Sequence, residues 1–229
     1  NPRIAAARAR WKAAIEKNPQ ALSLPDPMVE LAAGWMEGER GVQEWEYTFR
    51  QEVPFPTKIL LEGEVADREA EIARLQYEAA VRDELVETQE VFHELVYLGQ
   101  AEKTIALVEE LMQRYAAFAS GELAKGGTTL PETFRAQAQL AQLHYDRVLV
   151  RELAETERAR LRALAGLRAG TALGPAQAPP IRPVSARLPD LYSLAERHNQ
   201  ELKAAGISID KALAEVDLAR QGRIPDLEL

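Results

Sequence analysis

Between Thr57 and Glu122 the chain contains no proline, and glycine occurs only at Gly63, Gly99 and Gly121. Apolar residues return there at helical spacing: Ile72, Leu75 and Ala79, then Leu85, Phe92 and Val96, then Ile105, Val108, Met112 and Tyr115. The pattern predicts one uninterrupted helix, which at about 1.5 Å per residue is roughly 100 Å long. A helix of that length has no compact core of its own. Its narrow, Ala-rich apolar stripe, flanked by Glu, Gln and Arg, suits a coiled-coil seam. It must find its partners sideways, in other helices.

The reversal that follows is written in a few residues. Gly126 and Gly127 supply the backbone freedom of a tight turn. Thr129 is placed as an N-cap, with Glu132 three residues on to complete a capping box. Pro131 falls in the first helical turn, where no helical N–H is lost. A second helix is expected from near Leu130, carrying Leu140, Leu143, Val150, Leu161 and Leu164, and roughly 55 Å long. The fold class is mainly α, a long antiparallel coiled-coil hairpin. On these residues alone an ordinary helical hairpin and a functional tip stand equally open, and the lengths of the two arms favour the second.

Composition removes several functions. The net charge of −8 lacks the basic excess of a nucleic-acid binder, so no nucleic-acid partner is expected. Cysteine is absent, which excludes disulfides and thiolate metal sites. No run of about 18 apolar residues offers a transmembrane helix, although membrane strands carry a far weaker signal. The opening Asn1-Pro2, with no Met, reads as a processed or trimmed chain. The histidines, His93, His144 and His198, include no i,i+4 ligand pair, and His93 and His144 are not level on the two arms. Carboxylates lie along helix faces. No catalytic residue, metal site or cofactor is expected.

In chain order, residues 1–18 read as a helix with Ile4, Ala7, Trp11 and Ile15 on one face, closed by Asn18-Pro19. Residues 24–56 differ in kind. Met28–Met36 and Val42–Val53 are two strand candidates, joined through Glu37-Gly38-Glu39-Arg40-Gly41. Trp45, Tyr47, Phe49, Val53 and Phe55 fall on one face of the second, with Glu44, Glu46, Thr48, Arg50 and Glu52 on the other. In the first, Val29, Leu31, Ala33 and Trp35 share a face opposite Glu30. This alternation suits a half-buried soluble sheet. It also suits a barrel with an apolar outside and a polar lumen, whose strands need about 9–11 residues. Two strands alone make neither structure stable, so partner strands must come from elsewhere. Residues 57–166 form the helical hairpin, with its tip near 123–130. Residues 167–198 are a linker containing Gly170, Gly174, Pro175, Pro179-Pro180 and Pro183, then a short helix over Leu188–Arg197. Residues 199–229 hold a helix from Asn199 to about Gln221 and a closing Ile224-Pro225-Asp226-Leu227-Glu228-Leu229.

The end echoes the beginning. Asn1-Pro2-Arg3-Ile4-Ala5-Ala6 is answered by Asn199-Gln200-Glu201-Leu202-Lys203-Ala204, and Leu24-Pro25-Asp26 by Ile224-Pro225-Asp226, about 200 residues later. The chain is expected to be the first copy of a tandem repeat plus the opening of the second.

This order of helix, strand hairpin, very long helix, tip, long helix and linker, then the same again, resembles the TolC-like outer-membrane efflux proteins. Asn1-Pro2 and Leu24-Pro25-Asp26-Pro27 agree with that family. Gln51-Glu52-Val53-Pro54-Phe55-Pro56 is similar to its strand-exit segment, with Thr57 where Gly is usual and Lys58 kept. Gly126-x-x-Thr129-x-x-Glu132, followed by Arg135-Ala136, is similar to its tip turn. The resemblance covers the whole chain but half of a full-length member.

It implies a homotrimer when full length, with a twelve-stranded outer-membrane β-barrel above a helical tunnel in the periplasm, to which this chain contributes the strand hairpin and an α-barrel half. The returning arm would stack end to end with the first helix, and residues 167–198 would form an equatorial belt. It implies a passive exit duct of a tripartite efflux pump or type I secretion-like system, with no reaction catalysed. The implied partners are a periplasmic adaptor (membrane fusion) protein, an inner-membrane transporter and outer-membrane lipid. Gly126, Gly127, Thr128, Thr129, Leu130 and Glu132 would be the adaptor-contact tip. Trp45, Tyr47 and Phe49 would face lipid, and Glu44, Glu46 and Arg50 the lumen. The alternative is a soluble periplasmic coiled-coil interaction or adaptor protein. Nothing after Gly166 looks like the lipoyl-like halves of an adaptor, and the aromatic strands argue against it.

Overall fold

The structure, a computed structural model, describes residues 1–35, 43–180, 183 and 185–228, with the backbone alone for residues 34, 35, 43, 44 and 228. The expected loop over Glu37–Gly41 lies outside the described residues, as do Met36 and Val42. The element order is α1 (Pro2–Ile15), α2 (Lys17–Ala21), β1 (Met28–Trp35), β2 (Gln43–Arg50), β3 (Glu52–Val53), α3 (Pro56–Ala124), α4 (Leu130–Leu164), α5 (Leu188–His198), α6 (Gln200–Gln221) and β4 (Leu227–Glu228). The unbroken α3 has 69 residues. The chain divides into two compact units, Asn1–Pro2 with Arg82–Ser185, and Arg3–Val81 with Ala186–Leu229.

In the first unit the later part of α3 and all of α4 form an antiparallel pair. Buried and half-buried residues on α3 follow an alternating four- and three-residue step: Glu84, Thr88, Val91, Leu95, Leu98, Glu102, Ile105, Glu109, Met112, Ala116 and Ala119. On α4 the same step picks out Thr133, Ala136, Leu140, Leu143, Arg147, Val150, Ala154, Glu157, Leu161 and Leu164. This is the heptad seam of a coiled coil. The large apolar side chains sit at Val91, Leu95 and Leu98, while the buried positions near the tip are Ala116, Ala119, Thr133 and Ala136. Small side chains there let the two backbones come close.

The expected stripe placed Leu85, Val108 and Tyr115 among the inward residues. All three are exposed, and Glu84 and Glu109 are buried instead. Donors on facing segments explain the exchange. Asn1 Nδ2 donates to Glu84 Oε2 at 2.6 Å and to the Leu164 carbonyl at 3.0 Å. Arg147 donates to Glu109 Oε2 at 2.9 Å, and His144 Nδ1 lies 3.3 Å from Oε1. Seam residue Glu102 pairs with Arg151 at 2.6 Å, and Arg160–Glu87 at 2.8 Å flanks the seam. A charged pair inside a seam fixes register, because sliding either helix by one heptad strands a buried carboxylate.

Both ends of the antiparallel turn and of α4 use left-handed glycines. Gly126 has φ +78° and Gly166 φ +67°. At the first, Gly126 N–H bonds the Leu123 carbonyl at 3.1 Å and Gly127 N–H the Glu122 carbonyl at 2.9 Å. At the second, Gly166 N–H bonds Ala163 at 3.1 Å and Leu167 N–H bonds Arg162 at 2.8 Å. Each is a Schellman closure, which absorbs carbonyls a helix end leaves unpaired.

In the second unit the early part of α3 is flanked by α1 and α6. Glu69 on α3 meets α2 and α6: its Oε1 lies 2.6 Å from Lys17 Nζ, and its Oε2 lies 3.9 Å from Lys211 Nζ. Trp11 stacks on Tyr77 with centroids 5.6 Å apart and planes at 16°. Asn18 Nδ2 donates to Asp67 Oδ1 at 2.6 Å and to the Gly63 carbonyl at 3.2 Å. A Cβ at Gly63 would stand 2.7 Å from Leu22 Cδ2, so a larger residue there would require the Leu22 side chain to shift. Ala14 and Ala214, 200 positions apart, are each the buried residue of their helix.

Two expectations for this region are corrected. Asn18-Pro19 does not end the first helix; α1 stops at Ile15, and Asn18-Pro19 lies inside α2. Pro19 is in the first turn of α2, where its missing N–H is not needed. Ile15 is off the packed face, and Ala14, whose small side chain permits closer contact, takes its place.

The strands pair antiparallel from Met28↔Arg50 to Trp35↔Gln43. The second strand does not continue to Val53 as expected. The next rung would oppose Gln51 to Pro27, which has no N–H for a ladder. The Gln51 side chain donates through Nε2 to the Pro25 carbonyl at 2.9 Å. The chain resumes as β3, in which Val53 pairs with Leu227 and Glu52 with Glu228 of β4. Val53 therefore belongs to a different sheet from Trp45, Tyr47 and Phe49.

Candidate functional site: the strand face and the helical tip

The β1–β2 register places Val29 opposite Phe49, Leu31 opposite Tyr47 and Ala33 opposite Trp45. Directly opposed residues share a sheet face, so the apolar sets of the two strands form one continuous patch. Met28, Glu30 and Ala32 oppose Arg50, Thr48 and Glu46 on the other face. The apolar patch is open, with Tyr47 70%, Phe49 63% and Trp45 49% exposed. Glu46 and Arg50 are brought to the opposite, polar face. The Glu44 side chain lies outside the described residues. A patch of aromatic and aliphatic side chains this contiguous marks a surface meant to be covered.

At the tip, Glu132 organises the turn. Its Oε2 accepts from Thr128 Oγ1 at 2.7 Å, from Thr129 N–H at 3.0 Å and from Thr129 Oγ1 at 3.0 Å. Thr129 is the N-cap of α4, in extended conformation, with the capping box formed. These bonds, the Thr128 hydroxyl foremost, hold the Glu132 carboxyl below its ordinary pKa. Gly126, Gly127, Thr128 and Thr129 thus form one short bonded turn, and Leu130 projects beside it, exposed. Glu109, within the seam, is also held low, first by Arg147 and then by His144.

A lowered carboxylate pKa stabilises the fold above the unfolded value of about 4.3 and ceases to do so as pH falls through the folded value. The hairpin should therefore melt at lower temperature as pH drops from about 5 to about 3. Glu132→Gln and Glu109→Gln should each flatten that slope in calorimetric scans. Unchanged slopes in both variants would refute the assignment.

Glu84, Glu109 and Arg147 were not singled out by sequence reasoning. Glu84 stands seven residues before Val91, Glu109 fourteen after Leu95 and Arg147 seven after Leu140, so the heptad register holds all three, but it does not mark a charged residue as buried. Among the described residues, no group of three His, Cys, Asp or Glu side chains is placed to hold a metal ion. Among the same residues no helix is long and apolar enough to cross a membrane, which says nothing of strands.

No protein-family model matches the chain, and no curated protein matches it significantly. Solved structures do. The outer membrane protein VceC from Vibrio cholerae superposes with a TM-score of 0.76 at 20% identity, over 100% of this chain and 57% of that one. The outer-membrane channel OprN gives 0.79 at 20% identity, over 100% and 54%. The Campylobacter jejuni CmeC outer membrane channel gives 0.77 at 13%, over 100% and 52%. The chain therefore has the TolC-like fold, mainly helical with a two-stranded antiparallel hairpin, and it matches about half of an outer-membrane channel of that fold. It spans about half the length of the channels it matches.

Proposed function

We propose that this chain is part of a passive outer-membrane exit duct, working in a tripartite efflux pump or type I secretion-like system. The observation that carries the reading is the strand pair. Its register collects Val29, Leu31, Ala33, Trp45, Tyr47 and Phe49 on one exposed face and Glu30, Glu46, Thr48 and Arg50 on the other. An apolar outer face against a polar lumen is the arrangement of a membrane barrel. Likeness in fold to outer-membrane channels supports the same reading.

In this reading three subunits each contribute this hairpin and a second equivalent one, making twelve strands in the outer membrane, with most of the chain in the periplasm. Residues 1–18 and 57–166 line the helical tunnel, 24–56 the barrel, 167–198 the belt, and 199–229 open the second repeat. Exposed Leu107, Leu111, Phe118 and Tyr145 pack against neighbouring helices of the assembly. Transport is driven by an inner-membrane transporter, and a periplasmic adaptor docks on Gly126–Leu130 and Glu132.

The test is the mass of the full-length protein in detergent, with conductance in a planar bilayer. A conducting trimer is expected. A water-soluble monomer without conductance would overturn the duct and leave a periplasmic interaction module. For the tip, Leu130→Glu changes an exposed side chain and leaves the glycine turn intact. It should abolish adaptor crosslinking and reduce efflux at least about tenfold, the equivalent of about 1.4 kcal/mol of docking energy, with conductance retained. Full crosslinking in this variant would remove the tip from the interface.

A further inference from the structure

A polar contact at the strand base joins segments from different copies of the internal repeat. Lys58 follows the strand exit of the first copy, and Asp226 closes the Ile224-Pro225-Asp226 segment of the second. Asp226 Oδ1 accepts from the Phe55 N–H at 3.0 Å and from Lys58 Nζ at 2.8 Å, and Oδ2 accepts from Lys58 Nζ at 2.8 Å. The Lys58 side chain is only 12% exposed. The two residues after Asp226 begin the β3–β4 ladder. The contact is therefore a latch that sets where the second copy's first strand meets the first copy's strand exit.

Asp26 stands 200 positions before Asp226, in the equivalent Leu24-Pro25-Asp26 segment, and Met28 opens β1 just after it. The preceding helices correspond as well. Ala14 and Ala214 are the buried residues, and the half-buried positions of α1 recur 200 residues later in α6. Asp26 is exposed and makes no hydrogen bond or ion pair among the described residues. One carboxylate of the repeated pair is latched, and its equivalent is open.

We infer that Asp26 is the carboxylate half of a second latch, made between subunits. Its partner is the strand exit and helix N-terminus of the adjacent subunit's second repeat, which supplies a backbone N–H and a lysine side chain as Phe55 and Lys58 do here. Each latch joins one copy of the repeat to the copy before it. In the trimeric reading, with two copies per chain in a closed ring, the copy before this one belongs to the neighbouring subunit, which supplies the contact head to tail. The inference rests on the trimeric reading above.

The experiment places photoreactive p-benzoyl-phenylalanine at position 26 or 226 of the full-length protein in outer membranes. From position 226 the crosslink should stay within one chain and map to residues 52–58. From position 26 it should give a covalent dimer on denaturing gels, mapped beyond Leu229. A crosslink from 26 within one chain, or none, in a preparation that sediments as a trimer overturns the inter-subunit latch. Absence of the trimer itself overturns the reading beneath it. As a second measurement, Asp26→Asn should lower the temperature at which the trimer dissociates in detergent and leave the unfolding midpoint of this chain unchanged. An unaltered dissociation temperature counts against the latch.

Discussion

Arginine in place of Tyr47 is expected to abolish recovery of the protein as a membrane-inserted trimer. Tyr47 lies mid-strand, opposite Leu31, on the exposed apolar face. A cation on the lipid side near the bilayer midplane costs about 2–4 kcal/mol per copy. Three copies bring the penalty to roughly 6–12 kcal/mol, comparable with the whole stability of a typical domain. Glu46→Gln, one residue away on the polar face, is the matched comparison. It should leave insertion intact and lower cation preference in bilayer reversal-potential measurements. If Tyr47→Arg inserted normally while Glu46→Gln failed, the two faces would be assigned the wrong way round.

The second large effect belongs to the helical seam. Leu98 is 3% exposed, between α3 and α4. Leu98→Ala should destabilise this chain by about 2–5 kcal/mol, through lost burial and the cavity left behind. Its sequence neighbour Tyr97 is 63% exposed, and Tyr97→Ala should cost the chain no more than about 0.5 kcal/mol. Chemical denaturation followed by helical circular dichroism separates the two. Equal losses would mean that the seam runs elsewhere.

The extended helices were legible because their signals are local. A proline-free stretch with helical spacing, glycines at the reversal and the Thr129–Glu132 cap each act within a few residues. The strand faces were legible for the same reason, since alternation is local. The seam of α3 was not. Apolar residues such as Leu85, Leu107 and Tyr115 lie outside the α4 contact, while Glu84 and Glu109 lie within it because Asn1 and Arg147 answer them across the seam. A polarity pattern cannot anticipate a buried carboxylate whose partner is distant in sequence. The β3–β4 ladder was hidden likewise, its halves being separated by most of the chain. Pro27, by contrast, was a readable stop for the first ladder.

Side-chain size falls along the α3–α4 seam, from Val91, Leu95 and Leu98 to Ala116, Ala119, Thr133 and Ala136 near the turn. Each fully buried leucine is worth about 1.5–3 kcal/mol, whereas an alanine methyl offers a fraction of that. The free energy needed to part the helices therefore declines toward Gly126. The hairpin is graded, like a zipper with its weakest teeth at the closed end. Backbone amides of Ala116–Ser120 and Thr133–Ala136 should exchange with solvent through local opening that leaves the Val91–Leu98 stretch shut. Separation confined to the last turns therefore costs less than parting the helices at Val91–Leu98.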